Sequence, residues 1–284
     1  MSQSPSYIRV FLTFAQNSLV RDMTFRTNFL IESVTSVVWT LMNLGFYLLI
    51  FQYTNQIGAD TGWGKYEFFA FLATTMIVNS LVQAFFMENC EEVSELIRTG
   101  GLDFALLKPI DTQFLISLRR VDWSSLSNFA AGLVLLGVSL YQMTTRSESP
   151  LQLSPLNVLL YVFYVLCGVA ILYSLMIALA ATSIWLGQNR SLYDFWFYIT
   201  NFSRYPMEIY SGRFGTPLRL AFTYLLPVLV VVNVPARIIA LPVSPDGEGL
   251  QGLALFTLLA TAGSMLASRW VFISALRSYR SASS

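Results

Sequence analysis

Five stretches of this chain are apolar over a length that suits a membrane crossing. A crossing helix needs about 20 residues, because each adds about 1.5 Å to span a hydrocarbon core about 30 Å thick. The stretches are Phe29–Phe51, Phe68–Met87, Leu126–Tyr141, Leu156–Leu186 and Leu250–Ile273. The fourth is longer than a bilayer requires, so we expect it to tilt or to project beyond the membrane. The pattern predicts an all-α polytopic membrane protein.

The pattern is less regular between the fourth and fifth stretches, where prolines and charged residues interrupt it. Two topologies fit. In the first, Ser191–Tyr210 crosses the membrane and Thr216–Ala240 enters the outer leaflet and returns. In the second, Ser191–Pro217 lies on the cytoplasmic surface and Leu218–Ala240 crosses. Either topology gives six transmembrane helices in total.

Basic residues near the helix ends predict the orientation, because they favour the cytoplasmic side. Most fall at one side: Arg9, Arg21, Arg26, Arg98, Lys108, Arg119, Arg120, Arg190, Arg269, Arg277 and Arg280. The loops Gln52–Glu67 and Gln142–Pro155 hold only Lys65 and Arg146. Both termini and the loop Glu88–Asp122 are therefore predicted to be cytoplasmic. Charge alone favours the second topology, because the first leaves three arginines outside: Arg213, Arg219 and Arg237.

Composition supports the membrane assignment and excludes several functions. Charged residues make up 12% of the 284 residues, against about 25% in average soluble domains. The net charge of +1 gives no general attraction for nucleic acid. The absence of histidine excludes His-dependent nucleophilic catalysis and His-based metal sites. Cys90 and Cys167 lack metal or redox spacing, so we expect inert thiols, no catalytic residue and no metal site.

The N-terminal stretch is amphipathic if it is helical. Tyr7, Val10, Phe11 and Phe14 fall on one side, while Arg9, Thr13 and Gln16 fall on the other. Such a helix lies at a membrane surface. It is either a simple anchor before the first crossing or an elbow helix that moves with that crossing.

The predicted cytoplasmic loop has the most distinctive pattern in the chain. An acidic stretch leads to a basic residue: Glu88, Glu91, Glu92, Glu95, Leu96, Ile97 and Arg98. Gly100 and Gly101 then supply the left-handed backbone that ends a helix. A second short segment begins at Leu102 and Asp103, continues through Phe104–Leu107 and ends at Pro109. An ordinary solvated loop does not need this apolar run, whereas docking into a partner's groove does.

These residues also carry a family resemblance. The run from Glu95 to Asp103, continued by Leu106-Leu107-Lys108-Pro109, resembles the first cytoplasmic loop of ABC type-2 permeases, and most closely that of the bacterial viologen-exporter-like branch. Phe202–Pro206 and the segment from Pro227 to Pro235-Ala236 resemble parts of that branch before its last helix. The resemblance covers nearly the whole chain and implies one permease domain, residues 1–284, in the bacterial inner membrane.

The resemblance implies roles for several segments. Glu88–Gly101 would be the coupling helix that enters a cleft of the ATPase subunit, with contacts extending to Phe104. The segment marked by Pro206, Pro227 and Pro235 would be re-entrant on the outer side, before the last helix. We therefore expect the first topology, against the charge bias.

ATP must be bound elsewhere, since no G-x-x-x-x-G-K-[ST] run occurs in the chain. We expect no cofactor on this chain, with ATP and Mg on separate ATPase subunits. A second permease chain, identical or related, would complete the pathway, and membrane lipids would surround it.

Polar groups at membrane depth are few. Asn43, Asn79 and Gln83 are candidates for the substrate pathway, although such residues more often join helices by hydrogen bonds. The middles of the five apolar stretches contain no charged residue, which argues against an ion-coupled transporter. The cargo is expected to be amphiphilic, drug-like or lipid-like. Two alternatives are a membrane anchor or scaffold without transport activity and an intramembrane lipid-modifying enzyme.

Overall fold

The computed structural model describes residues 6–24, 26–58, 62–146, 150–187, 194, 197–198, 201–241 and 248–279. Within those ranges the chain is helical, with one isolated β-bridge between Gln56 and Gly64. The helices are α1 (Tyr7–Thr24), α2 (Arg26–Tyr53), α3 (Lys65–Val82), α4 (Glu88–Glu91), α5 (Val93–Arg98), α6 (Gly101–Leu106), α7 (Thr112–Ser117), α8 (Leu126–Thr144), α9 (Pro155–Leu186), α10 (Gly212–Leu220), α11 (Leu229–Ala240) and α12 (Glu248–Ser278). π-helical turns, Gln83–Met87 and Ala221–Leu225, extend α3 and α10.

Five helices in the described part are long and apolar enough to cross a membrane. They coincide with the five stretches predicted from the sequence, which are thereby confirmed as helices. The chain is a multi-pass membrane protein by this measure. The bent pair α10–α11 would supply a sixth span if it crossed. The predicted crossing Ser191–Tyr210 includes residues 191–193, 195–196 and 199–200, which lie outside the described part.

The centre of the bundle is formed by α3, α9 and α11. Gly168 of α9 allows the closest approach, because a Cβ there would lie 2.7 Å from the backbone oxygen of Val231. In a regular helix, the N–H four residues later would donate to the carbonyl oxygen of Val231. That residue is Pro235, which has no N–H. The small residue and the proline therefore fit together at one contact, as small residues do between membrane helices.

The α2 helix lies at the edge of the bundle. None of its described side chains is buried, although it is strongly apolar. One of its few polar links is the hydrogen bond from Thr40 Oγ1 to Asn128 Oδ1 of α8, 3.4 Å long. Most of the first span thus presents an uncovered apolar face.

The two ends of the bundle are distinguished by their loops. We call the end that contains residues 88–122 the loop end, and the end that contains residues 54–64 the distal end. Tyr7 of α1 reaches the loop end, where its ring lies 4.8 Å from that of Phe114. Arg269, near the end of α12, also reaches it through Asp111. The first and last described helices therefore meet the same end, as the predicted orientation requires.

The pair α10–α11 bends by 91° and both of its outer ends lie at the distal end. Gly215 in the first turns of α10 packs against Tyr210, which lines a cavity together with Gln56. Leu241, after α11, lies beside Gly62. A helix pair with this bend is compatible with a broken span or with a re-entrant segment.

The acidic segment, which forms α4 and α5, continues the second candidate span. No glycine or proline stands between Gly64 and Gly100, so α3 runs through its π turn and through α4 to Arg98 as one 34-residue helix. The helix expected from Glu88 corresponds to α4 and α5, which continue the second span without a break. The expected turn is confirmed, because Gly100 has a φ of +72° and α6 begins directly after it.

Candidate functional site: the loop-end assembly

An ionic cluster holds the acidic part of the loop against the rest of the chain. Arg120 Nη1 lies 3.0 Å from Glu88 Oε1 and 2.5 Å from Glu92 Oε1. Arg21 of α1 adds a contact of 3.5 Å to the second oxygen of Glu88. Glu88 and Glu92 thus make their ion pairs within the chain, although both side chains are partly exposed.

Asn89 fastens the same region through backbone contacts. Its Oδ1 accepts a hydrogen bond from the N–H of Arg120 at 2.9 Å, and its Nδ2 donates to the Arg120 carbonyl at 2.8 Å. The amide is buried, and it also donates to the carbonyl of Phe85 one turn earlier. This side chain joins the end of the second span to the segment that leads into α8.

The α1 helix is attached to the same segment before α8. The Val121 N–H donates to Ser18 Oγ at 3.1 Å, and Trp123 Nε1 donates to the Ala15 carbonyl at 3.2 Å. The aromatic face predicted for a membrane surface therefore packs on the protein: Tyr7 on Phe114, and Phe11 with its ring 6.2 Å from that of Phe85. Tyr7 nevertheless remains 49% exposed, and the other large apolar residues that α1 exposes are Ile8, Leu12, Leu19, Val20 and Met23.

The α7 helix connects the loop to two spans. Asp111 accepts the Phe114 N–H at the start of α7 and pairs with Arg269 of α12 at 2.5 Å. Burial opposes ionisation of this carboxyl group, but the hydrogen bonds from Arg269 and Phe114 outweigh it and lower the pKa of Asp111. Gln113 and Ser117 both hydrogen-bond the hydroxyl of Tyr173 in α9, at 3.0 and 2.8 Å.

An apolar tip, residues Phe104–Leu107, projects from this framework. Phe104 is 70% exposed and Leu107 is 81% exposed, whereas Leu102 is 1% exposed and anchors α6 in the core. Asp103 and the turn residues Gly100 and Gly101 are half-buried beneath the tip. Large exposed side chains on a short, anchored helix are what a partner's groove recognises.

The other predicted loop residues are divided between core and surface. Leu96 and Ile97 pack against the core, half-buried. Glu91, Glu95 and Arg98 are exposed, and Arg98 pairs with Glu95 on its own helix at 2.5 Å. The acidic stretch therefore has two faces, one bonded within the chain and one open.

The structure does not bring the three predicted pathway residues together. Asn43 is exposed on α2 and donates to the Trp39 carbonyl of its own helix at 2.8 Å. Asn79 is half-buried in α3. Only Gln83 lines a large cavity, of about 710 Å³, at the loop end, where Glu32, Glu91 and Arg21 also lie.

The proline-marked segment is fixed at the distal end. Asn233 of α11 accepts the Met207 N–H at 2.8 Å, and Glu208 pairs with Arg237. Trp63 Nε1 also donates to Glu208, at 3.0 Å. The three predicted prolines lie along this path: Pro206 buried before Met207, Pro227 at the bend between α10 and α11, and Pro235 buried within α11.

Sequence reasoning missed the side chains that hold these parts together. Asn89, Tyr173, Trp63 and Glu208 bond residues 31 to 145 positions away, so no local pattern marks them. A signal was available only for Asp111, which precedes a short helix in the manner of an N-cap.

The model of one protein family, described as ABC-2 family transporter protein, matches residues 37–283. The match includes the whole loop end from the π turn to α8, the bent pair and most of the first candidate span. No curated protein and no solved structure matches the chain.

Proposed function

The chain belongs to the ABC-2 transporter family, and on that premise we propose that it is the permease subunit of an ATP-binding cassette exporter. It moves an amphiphilic, drug-like or lipid-like substrate outwards across the bacterial inner membrane. The energy comes from ATP hydrolysed, with Mg, on a separate ATPase subunit. The sequence motifs of the viologen-exporter-like branch support the same assignment.

The observation that carries this proposal is the exposed apolar tip on an anchored framework. Phe104 and Leu107 offer apolar area to a partner while Leu102 keeps α6 in place. Burying one such side chain in a groove contributes about 1.5–3 kcal/mol. The tip, rather than the acidic segment, is the principal contact with the ATPase. Glu91, Glu95 and Arg98 form the charged edge of that contact.

Movement of the tip reaches the membrane through three attachments. The contact of Asp111 with Arg269 transmits the movement to α12, and the hydrogen bond of Ser117 with Tyr173 transmits it to α9. The ionic cluster around Arg120 transmits the movement to α1, which is followed directly by α2. ATP-driven closure of the ATPase subunits therefore displaces several helices at once, and α1 acts as an elbow helix.

A second permease chain, identical or related, completes the pathway. The uncovered apolar face of α2 is available to it or to lipid. In this arrangement the loop end and both termini are cytoplasmic, and the bent pair α10–α11 re-enters from the outer side.

Site-directed crosslinking tests the proposed docking surface. Cys90 and Cys167 are both buried, so a Phe104→Cys variant presents one accessible thiol in the described part of the chain. A photoactivatable maleimide on that thiol is expected to capture an ATP-hydrolysing subunit in native membranes. Tyr53→Cys, at a 91%-exposed aromatic residue of the distal end, is the matched control. Absence of such a subunit from the Phe104→Cys adducts would favour the anchor or scaffold alternative.

A further inference from the structure

A second cavity, of about 550 Å³, lies at the distal end. Its walls come from four parts of the chain. Phe46, Tyr47 and Ile50 belong to α2, and Phe68 belongs to α3. The remaining lining residues belong to the distal loop and to the segment before α10: Thr54, Gln56, Ile57, Gly58, Tyr205, Ile209 and Tyr210.

The lining is apolar and aromatic with a few polar atoms. Among the lining residues that the structure describes, none is Asp, Glu, Lys or Arg. The rings of Tyr47 and Phe68 lie 4.8 Å apart, and Tyr47, Tyr205 and Tyr210 bring three phenol groups to the lining. The loop-end cavity is different, since five carboxylates and two guanidinium groups line it: Asp22, Glu32, Glu88, Glu91, Asp122, Arg21 and Arg120. An uncharged lining with a few hydroxyls suits the apolar part of a ligand.

The cavity is reached from the side that lipid would occupy. Phe46 is 59% exposed on the uncovered face of α2, and it forms part of the wall. A molecule dissolved in the bilayer can therefore enter laterally without crossing a charged surface. The volume falls within the range of about 300–1,000 Å³ that holds a drug-sized molecule. A phospholipid with two long acyl chains exceeds that size.

One wall of the cavity is held by the contacts of the bent pair. Tyr205, Ile209 and Tyr210 flank Glu208, which is bonded to Trp63 and Arg237. The Met207 N–H is bonded to Asn233. The position of this wall is therefore tied to α11 by contacts of Met207 and Glu208.

We propose that this distal cavity binds the apolar part of a single-chain amphiphile on its way out of the transporter. This assignment rests on the proposed function, because it names where cargo is held after it has left the loop end. The aromatic walls hold the chain, and the hydroxyls of Tyr47 and Tyr205 meet its polar end at the rim.

Photolabelling of the full chain in nanodiscs tests the proposal. The probes are hexadecanol and a phosphatidylcholine that carry the same diazirine in mid-chain. We expect hexadecanol to label residues 46–58 and 205–210. Ile50→Trp and Ile209→Trp fill the cavity from two different segments of its lining and should each lower this labelling about fivefold, equivalent to about 1 kcal/mol. Leu49→Trp, at the neighbouring exposed position outside the lining, should leave it unchanged.

Two outcomes would overturn the proposal. Labelling that neither lining variant lowers, in protein that is still folded by circular dichroism, would show ordinary exposure of α2 to the bilayer. Labelling by the phosphatidylcholine probe as strong as that by hexadecanol would assign the cavity to bilayer lipid. The experiment needs no ATPase, so its failure is distinguishable from failure of the proposed export function.

Discussion

Asn89 holds the backbone of Arg120 on both sides, accepting its N–H at 2.9 Å and donating to its carbonyl at 2.8 Å. These bonds join the end of the second span to the segment that starts the third. Because that segment also anchors α1 through Val121 and Trp123, this buried amide links the acidic segment to the attachment of α1.

Asn89→Ala leaves the N–H and carbonyl of Arg120 without partners. Loss of a partner by a buried polar group costs about 1–3 kcal/mol, which corresponds to a fall in Tm of several degrees for a chain of this size. Thermal unfolding in detergent measures it. Asn43→Ala removes the same side chain where it is exposed and bonded only within α2, so its Tm should change by less than about 2 °C. Equal shifts in the two variants would contradict the role given to Asn89.

Reversal of the charge of Glu92 should destabilise the helical structure of the acidic segment. Glu92→Arg places a cation against Arg119 and Arg120, and hydrogen–deuterium exchange of residues 88–98 should rise about fivefold, as expected for an ion pair of about 1 kcal/mol. Adding Arg120→Glu should restore part of the protection. Glu95→Arg, whose partner Arg98 is exposed on the same helix, should change exchange much less. No recovery in the double variant would show that charge is not the cause.

The pair of Asp111 and Arg269 should make the stability of the protein depend on pH in the acid range. A carboxyl group with a lowered folded-state pKa adds stability that is fully present above its ordinary pKa of about 3.9. That stability is lost as pH falls through the lower folded value. Wild-type protein should therefore lose more stability than Asp111→Asn when pH is lowered from 5 towards 3. Parallel pH profiles of Tm for the two proteins would exclude the pair as a source of the acid response.

The effects of Glu208 and Arg237 on stability should be strongly coupled. Both side chains are about one-fifth exposed, so Glu208→Gln leaves a largely buried guanidinium without its charge partner. Breaking one side of such a pair costs about 3–5 kcal/mol. The double variant Glu208→Gln/Arg237→Met removes both charges and should recover most of the lost Tm. Additive effects of the two single variants would argue against a coupled pair.

The sequence predicted the five long helices well, because an apolar run of that length has few other uses. It also predicted the turn at Gly100, where a positive φ suits glycine. It did not predict that α3 continues to Arg98, since a change from apolar to acidic residues marks the edge of a membrane and not the end of a helix. Charge counting could not take account of the pairing of Arg237 with Glu208, which lies 29 residues earlier in the chain.

The candidate site was predicted in outline but not in its contacts. The apolar run Phe104–Leu107 stood out because exposed apolar residues in a loop need a reason. The acidic residues could not be sorted into inward and outward faces, because that depends on Arg120, which lies far along the chain. Single polar residues such as Asn89 and Asn43 look alike in sequence and differ only in what folding brings to them.

Purification of the protein from its native membranes in mild detergent tests the central claim, that the tip docks to an ATP-hydrolysing subunit. Wild-type protein should bring down a subunit that contains a phosphate-binding loop, together with ATPase activity. Phe104→Asp/Leu107→Asp should lose both while it still inserts, and Tyr53→Asp at the distal end should keep both. ATPase recovery that is unchanged by the double tip variant, or no ATPase with the wild-type protein, would contradict the account.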